Sequence, residues 1–341
     1  MPRPALAALP AATSFPRVTE SAPTRVAESR PAHPAAARLL PIAMMLLLGT
    51  LWGLNFSLAK LGRTGGVPPM AHTFWQATCG GLILLAVCWA RGVRPRLGRR
   101  FLAYYLFAGV IGFAAPNANM VVALLQVPAG VMAVLITLVP VFTYALAIVI
   151  GMERFSAVRA VGVGFGLAGA LLILVPSASL PSPEMVGAAL IGLMTPLFYA
   201  IGNVGMARWR PQGPGGDSMS LACGMTLAGG AAMFVAMLVT GQGYVLGQDG
   251  WQLRDWALTG QIMVTAVSFV VFFELLRMVG PVVTGVVAFI ITCAGILWGM
   301  AIFGESHSAW VWAAVVLVLI GLGLVNRPTP APAASEKELP L

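Results

Sequence analysis

Charged side chains are scarce in this sequence: Asp, Glu, Lys and Arg make up only 9% of its 341 residues, whereas 59% are apolar. An average soluble domain is about 25% charged. A soluble chain of this size leaves roughly a quarter of its extended surface in water, and that surface needs many more polar groups. The composition therefore excludes a soluble enzyme, a coiled coil and a disordered chain. It predicts that most of the chain lies in lipid.

Cysteine and histidine are also scarce, with four and three residues. All four cysteines fall inside apolar runs, which is typical of small core residues rather than of a disulfide framework or a metal site. The sequence has neither a His-Glu-x-x-His motif nor a phosphate-binding Gly-x-x-x-x-Gly-Lys-Ser/Thr run. We therefore predict no metal, no cofactor and no enzymatic activity. The net charge of +9 comes from arginines set between apolar runs, so nucleic acid is not an expected partner.

Long apolar runs, separated by turn and charged residues, fill most of the chain. A helix needs about 20 apolar residues to cross the hydrocarbon core, and in lipid its backbone hydrogen bonds must close internally. No run shows the alternating pattern of barrel strands. The predicted fold is an all-α integral membrane protein with ten transmembrane helices. Their predicted bounds are 39–61, 70–90, 101–124, 129–151, 157–175, 185–206, 218–240, 255–276, 281–303 and 309–326.

The basic residues indicate which side of the membrane each loop faces. With ten spans, all of the 20 Lys and Arg residues except Lys60, Arg63 and Arg254 fall on the side of the two termini. Cytoplasmic loops are rich in Lys and Arg, so we expect both termini in the cytoplasm and the protein in the plasma (inner) membrane. Residues 1–38 and 327–341 are rich in Pro and Ala and are predicted to be disordered cytoplasmic tails. The first lacks the apolar stretch of a signal peptide.

The second half of the chain repeats features of the first at a constant offset. Because Glu is rare here, the recurrence of a Glu-x-x-Ser-Ala turn is not explained by apolar composition. Residues 39–176 and 185–326 would each contain five helices, and an odd number forces the second copy to enter the membrane inverted. Inverted repeats around a central site are common in secondary transporters. The matching pairs are Ile150/Ile302, Glu153/Glu305, Ser156/Ser308, Ala157/Ala309, Val163/Val315, Leu167/Leu319, Gly169/Gly321 and Leu172/Leu324.

Several of these segments, spread over about residues 40–326, resemble the EamA-type family of the drug/metabolite transporter superfamily. The resemblance implies a secondary-active transporter that moves small metabolites, such as amino acids or drug-like compounds, by alternating access, with export as the expected direction. An importer with the same fold, a channel and a non-transporting membrane scaffold stay open as alternatives. The matching segments are Leu51-Trp52-Gly53-Leu54-Asn55-Phe56, Ala129 to Pro140, Gly151-Met152-Glu153-Arg154-Phe155-Ser156, Gly162 to Gly169 and Gly304-Glu305-Ser306.

Polar side chains at membrane depth are the candidate binding groups, because a polar group in hydrocarbon needs a partner or water. Amides, hydroxyls and aromatic faces without a lone carboxylate at mid-depth favour a neutral or zwitterionic small-molecule substrate. The predicted substrate-binding residues are Trp52, Asn55, Asn117, Asn119, Tyr144, Tyr199 and Asn203. Other polar groups at this depth are Gln76, Thr137, Gln261, Thr265, Ser268 and Thr292. The alternative for the amides and tyrosines is packing between helices.

The remaining candidates are the two repeated glutamates, one lysine, one histidine and a group of small residues. Glu153 and Glu305, at the two repeated turns, are either gating or coupling groups or structural ties between helices. Lys60 is expected to extend its ammonium to the membrane surface. His72, near the outer end of the second helix, is expected at the surface. The small residues from Gly162 to Ala170 would pack either within the chain or across a homodimer.

Overall fold

The computed structural model describes residues 34–174, 185–212, 216–284 and 286–326, and these residues form helices and turns without a strand. Seven helices are long and apolar enough to cross a membrane, and three shorter apolar helices accompany them. The seven are Leu39–Thr64, Pro69–Ala90, Arg99–Ala123, Ala129–Val149, Met185–Trp209, Ser218–Thr240 and Leu253–Gly280. The three are Ala157–Ile173, Val287–Phe303 and Ala309–Val325. The chain is thus an all-helical, multi-pass membrane protein.

Twelve α-helices make up the described residues in chain order, with one π-helical turn between the third and the fourth. The first half contains α1 (Pro34–Thr64), α2 (Pro69–Ala90), α3 (Arg99–Gly109), the π turn (Val110–Ala114), α4 (Ala115–Ala123), α5 (Ala129–Ile136), α6 (Val139–Val149) and α7 (Ala157–Leu174). The second half contains α8 (Met185–Trp209), α9 (Ser218–Thr240), α10 (Leu253–Thr284), α11 (Val287–Phe303) and α12 (Ala309–Val325).

Three segments differ in detail from the predicted spans. The first helix begins at Pro34, inside the predicted tail 1–38, where a run of alanines favours helix. The span predicted for 129–151 is divided at Thr137 and Leu138, just ahead of Pro140, whose ring excludes a regular helix through this point. Gly280 has a φ of 76° and interrupts α10 near its end. The predicted tails before residue 34 and after residue 326 lie outside the described residues.

The helices pack in a pattern that pairs the two halves of the chain. Helix α7 packs on α12 and α2 packs on α9, while α1 contacts both α10 and α11. Helix α8 in turn contacts α3 to α6, and α5 packs on α11. At the α7–α12 crossing a Cβ added to Gly162 would lie 2.8 Å from the Gly321 carbonyl oxygen, so only glycine allows this approach. These small residues therefore pack within the chain.

The bundle has two ends, which we call the arginine end and the Glu305 end. The arginine end holds the connections 91–98 and 150–156, together with residues 210–212 and 216–217 between α8 and α9. The Glu305 end holds the connections 65–68, 124–128, 241–252 and 304–308. Between them the helices present large apolar side chains outward, as the 81% exposure of Val239 illustrates. An apolar exterior of this extent is suited to lipid.

Candidate functional site

A cavity of about 710 Å³ lies in the middle of the bundle, between helices of the first half and helices of the second. Its wall combines carboxamides, hydroxyls and aromatic rings. The described polar residues of the wall are Asn55, Gln76, Tyr104, Asn117, Thr137, Tyr199, Asn203, Arg210, Ser218 and Thr265, and the aromatic residues are Trp52, Phe56, Phe113, Phe269, Phe272 and Phe273. Among these residues Arg210 carries the only charge.

The π turn shapes the part of the wall that contains Asn117. Pro116 has no N–H to donate, so the helix that precedes it cannot continue its regular hydrogen bonds. The Asn117 amide instead donates to the Phe113 carbonyl oxygen at 2.7 Å and to the Tyr199 hydroxyl at 3.0 Å. The Asn117–Tyr199 hydrogen bond links α4 to α8, and it therefore places two predicted site residues side by side.

A second polar contact crosses the cavity wall between α2 and α10. The Gln76 Nε2 donates to Thr265 Oγ1 at 3.1 Å, and both side chains are buried. On α1, the Asn55 Oδ1 is buried and has no hydrogen-bond partner among the described residues. A buried acceptor without a partner costs about 1–3 kcal/mol, so Asn55 is prepared to accept a hydrogen bond from a bound molecule.

Aromatic rings line the wall on the side of α10. The Trp52 and Phe272 ring centroids lie 5.4 Å apart, and Phe269 stacks with Phe273 at 6.2 Å. These phenylalanines were not among the predicted site residues. Their spacing of three and four residues puts them on one helical face, and this signal was available in the sequence.

The cavity opens toward the arginine end. Asn203 and Arg210 lie on the cavity wall and are exposed at that end. The Arg210 Nη2 donates to the Gly216 carbonyl oxygen at 3.1 Å and to Ser218 Oγ at 2.9 Å, which fixes the guanidinium at the mouth. A guanidinium in this position favours the approach of a carboxylate or another anionic group.

The opposite end is closed by Glu305, whose side chain is only 8% exposed. Lys60 Nζ donates to Glu305 Oε1 at 2.7 Å, and the backbone N–H groups of Ala129 and Gly130 donate to the two carboxylate oxygens at 2.7 and 3.0 Å. The carboxylate thus binds a lysine of α1 and the N-terminus of α5, where the helix dipole favours a negative charge. The prediction that Lys60 extends to the surface is wrong, because Glu305 holds it.

His307 lies beside this contact, with its Nε2 3.7 Å from Glu305 Oε2. Burial lowers the pKa of His307 below its ordinary value, the Glu305 carboxylate opposes this effect, and the Lys60 charge adds to it. A second set of contacts ties the same end together, because the Tyr244 hydroxyl donates to Asp255 Oδ1 at 2.6 Å. Trp75 Nε1 donates to the Tyr244 carbonyl oxygen at 2.9 Å.

Glu153, the counterpart of Glu305 in the repeat, is 47% exposed and lies 3.3 Å from Arg159 Nη1. It lines a smaller cavity of about 430 Å³ at the arginine end, together with Tyr144 and Asn203. The Tyr144 hydroxyl accepts a hydrogen bond from the Ser156 backbone N–H at 2.9 Å. Tyr144 is therefore next to the main cavity rather than on its wall, and Asn203 lines both cavities.

Asn119 lies outside the two cavities. Its amide donates to the Ile191 carbonyl oxygen at 2.7 Å and to Thr195 Oγ1 at 2.8 Å, both on α8. The two acceptors lie just before Pro196, Ile191 by five residues and Thr195 by one, and this proline interrupts the helical hydrogen bonds of α8. The structure thus brings Trp52, Asn55, Asn117, Tyr199 and Asn203 to one cavity, and it places Asn119 where it joins two helices.

Comparison with known proteins agrees with this architecture. Residues 39–175 match the EamA-like transporter family. The chain is similar to the uncharacterized inner membrane transporter YedA of Escherichia coli strain K12, with 26% identity over 293 residues that cover 81% of this chain and 88% of YedA. A WAT1-related protein of Arabidopsis thaliana is 25% identical over 134 residues, which cover 39% of this chain and 36% of that protein.

A protein of known crystal structure has the same fold. It superposes with a TM-score of 0.55 at 20% identity, and the match covers 85% of this chain and 97% of that one. The helices and their cavity define a multi-pass membrane protein of transporter type. The family matched over residues 39–175, part of the drug/metabolite transporter superfamily, is the one predicted from the sequence, and the match confirms that prediction. The members of the EamA family are transporters and not enzymes, which agrees with the prediction of no enzymatic activity.

Proposed function

We propose that this protein is a secondary-active transporter that moves a small neutral or zwitterionic metabolite, such as an amino acid or a drug-like compound, by alternating access. The observation that carries the proposal is the cavity of about 710 Å³ at mid-depth, open at one end and closed at the other. Its amide, hydroxyl and aromatic wall suits a molecule that is partly polar and partly apolar. Export is the proposed direction.

The proposed architecture has ten transmembrane helices in two inverted repeats, residues 39–176 and 185–326. The packing pattern supports it, since a shift by one repeat carries α1 to α8, α2 to α9 and α7 to α12. The α2–α9 and α7–α12 contacts each join two equivalent helices, so exchanging the repeats leaves these contacts unchanged. The contacts of α1 with α10 and α11 correspond to those of α8 with α3 to α6. Two halves related in this way can rock around a site between them.

Asn55, Asn117 and Tyr199 are the proposed centre of the binding site. Asn55 offers a free acceptor on α1, and the Asn117–Tyr199 pair offers polar atoms on α4 and α8 of the same cavity wall. Trp52 would contact the apolar part of the substrate, and Asn203 would contact it nearer the mouth. Tyr144 and Asn119 are proposed to act indirectly, through the Ser156 backbone and through α8.

Glu305 is the proposed closing contact of the Glu305 end, and Glu153 is its counterpart at the arginine end. The arginine end is proposed to face the cytoplasm, in agreement with the positive-inside rule. Both termini would then be cytoplasmic, and the conformation described here would be open to the cytoplasm. A homodimer remains a possible assembly, although the small residues of α7 are already covered by α12.

Counterflow in proteoliposomes tests the proposal. Vesicles are loaded with a millimolar unlabelled amino acid, diluted into the tritiated form, and followed for transient uptake across a panel of neutral amino acids. A carrier exchanges the two pools, whereas a channel only dissipates the gradient and a scaffold does neither. Vesicles sorted by protein orientation decide between export and import. Absence of counterflow for every member of the panel would contradict the proposed substrate class.

Three matched variants test the site. Asn55→Ala and Asn117→Ala are each expected to lower counterflow by about tenfold, which corresponds to one lost hydrogen bond of about 1.4 kcal/mol. Gln126→Ala is the control, because the exposed Gln126 side chain lies in the connection 124–128, outside both cavities. Wild-type counterflow in folded Asn55→Ala and Asn117→Ala proteins would show that the site is elsewhere.

A further inference from the structure

His72 is completely buried in the membrane-spanning part of α2, with an exposed fraction of 0%. Neither of its ring nitrogens has a hydrogen-bond partner among the described residues. The expectation that His72 lies at the surface is therefore wrong. Buried polar side chains in native proteins are almost always paired, and an ionisable side chain inside a membrane segment is commonly functional.

Gln261 is in the same situation on α10. It is 0% exposed, and both atoms of its carboxamide group lack a partner among the described residues. Helices α2 and α10 both run from the Glu305 end to the arginine end, and the Gln76–Thr265 hydrogen bond aligns them. His72 is four residues before Gln76, and Gln261 is four residues before Thr265. Both therefore lie one turn from the cavity wall, at the same level and on the faces aligned by that bond.

Helix α1 covers His72 on the side of the Glu305 end. A Cβ added to Gly62 would lie 3.2 Å from the His72 ring, so the glycine allows α1 to pack directly on the imidazole. Just after α1, a Cβ added to Gly65 would lie 2.6 Å from the Arg254 Cβ, so this glycine allows a close approach to the start of α10. Movement of α1 when the Glu305 end opens would uncover the imidazole, while Gln76 and Thr265 connect its level to the cavity.

The charged groups around His72 are mostly basic or already paired. From α1 they are Lys60, held by Glu305, and Arg63, whose charge acts on the imidazole. From α10 they are Arg254 and Asp255, and the Asp255 carboxylate accepts hydrogen bonds from Tyr244, Gly247 and Gln252. The described residues of α4 and α9, which also contact α2, contain no charged side chain. An imidazolium at His72 thus has no carboxylate that would hold its proton permanently.

We propose that His72, with Gln261, is the proton-binding site that couples transport to a proton gradient; this proposal rests on the transport function proposed above. When the Glu305 end opens, an imidazole nitrogen takes a proton from a hydronium ion, which becomes water, and the Gln261 carboxamide oxygen accepts a hydrogen bond from the new N–H. When the arginine end opens, the N–H bond breaks and the proton passes to a water molecule of the cavity at the level of Gln76 and Thr265, which becomes hydronium. One proton enters for each substrate molecule exported.

Proteoliposomes that contain a pH-sensitive dye test the proposal with the amino acid for which the wild type shows counterflow. His72→Gln is expected to reduce pH-gradient-driven accumulation, and the dye response to added amino acid, by about tenfold or more, while exchange at equal pH on both sides continues. His33→Gln is the control for the loss of a histidine side chain as such. A folded His72→Gln protein that accumulates the amino acid and moves protons as the wild type does would overturn the proposal.

A second measurement needs neither a substrate nor a His72 variant. In His33→Gln/His307→Gln protein in nanodiscs, labelled with ¹⁵N-histidine, His72 is the only imidazole. Its ring nitrogen resonances are expected to report the gain of one proton between about pH 8 and 4. Resonances that stay constant over this interval would overturn the proton site, whether or not a substrate is known. Titration without counterflow would instead contradict the substrate class and leave the proton site supported.

Discussion

The two Glu-x-x-Ser-Ala turns have nearly the same sequence and very different surroundings. Glu153 is 47% exposed and pairs with Arg159, only six residues further along the chain. Glu305 is 8% exposed and binds Lys60, which is 245 residues away, as well as two backbone N–H groups of α5. One turn is a solvated loop, whereas the other holds three helices together.

The difference in exposure agrees with the shape of the main cavity, which is open at the arginine end, where Glu153 lies, and closed at the Glu305 end. If the two halves are inverted copies, the same turn meets a closed interface at one end and an open one at the other. The asymmetry of the two glutamates then reports the conformation of the protein rather than a difference in their chemistry. Transport by alternating access would require the Glu305 contact to open in each cycle.

The largest expected effect is that of removing the Glu305 charge. Glu305→Gln leaves the Lys60 ammonium without its counter-ion and at least one α5 N–H group without an acceptor. We expect the free energy of unfolding to fall by about 3 kcal/mol, the scale of breaking a buried ion pair. Thermal unfolding of the detergent-purified protein measures the change.

Glu153→Gln is the matched control for this variant. Because Glu153 is exposed and its partner is a surface arginine, we expect a change of less than about 1 kcal/mol. Equal melting temperatures for the two variants would contradict the different roles assigned to the two turns.

The second effect concerns the space that Glu305 occupies. A Cβ at Gly299 would overlap the Glu305 carboxylate, so Gly299→Ala is expected to displace it and to destabilise the protein by about 2 kcal/mol. Gly164→Ala is the control, since a Cβ at Gly164 meets nothing within 4 Å. Thermal unfolding again compares the two, and a Gly299→Ala protein as stable as the control would show that the carboxylate is not held in place.

The smallest expected effect is a pH dependence of the melting temperature that comes from His307 at the Glu305 end. Burial lowers the pKa of His307 in the folded protein, so the unfolded chain binds more protons as the pH falls below about 6.5. The contribution of His307 is present above this pH and is lost as the pH decreases toward the folded-state pKa. The melting temperature of the wild type is therefore expected to fall more than that of His307→Gln between pH 7 and pH 5. Equal changes in melting temperature for the two proteins would show that His307 does not contribute to the pH dependence.

The helices were predictable because lipid imposes the same requirement on all of them. A segment that crosses the membrane must be long and apolar, and its backbone N–H and C=O groups must bond to one another. The interruption near Pro140 was predictable for the same reason, as proline removes a donor. The start of the first helix at Pro34 was not, since alanine-rich sequence is compatible with both a helix and a tail. The π turn before Pro116 also left no distinct pattern.

The kinds of residue that line the cavity were predictable, but not every residue that reaches its wall. Polar residues at membrane depth avoid lipid, which is why Asn55, Asn117 and Tyr199 are found on the cavity wall. Asn119 satisfies the same rule by bonding to α8. Two residues of helix rotate a side chain by about 200°, so Asn117 and Asn119 could not both face one cavity, and the spacing alone indicated this.

The sequence patterns could not predict contacts between residues that are far apart in the chain. The Lys60–Glu305 pair joins helices from opposite halves, and no local signal links the two residues. His72 looked like a surface residue because it is near a helix end. Gly62 lets α1 pack on the His72 ring, and a single sequence shows this glycine but not the residue that packs against it.

A cross-link across the closed end tests the central claim most directly. In protein without its native cysteines, Lys60→Cys and Glu305→Cys are joined by a short reducible cross-linker that takes the place of the ion pair. The Glu153→Cys/Arg159→Cys pair, within one half, is the control. The cross-link at Lys60 and Glu305 is expected to abolish counterflow and its reduction to restore it, whereas the control cross-link is expected to leave counterflow unchanged. Undiminished counterflow in the fully cross-linked protein would contradict alternating access through this end.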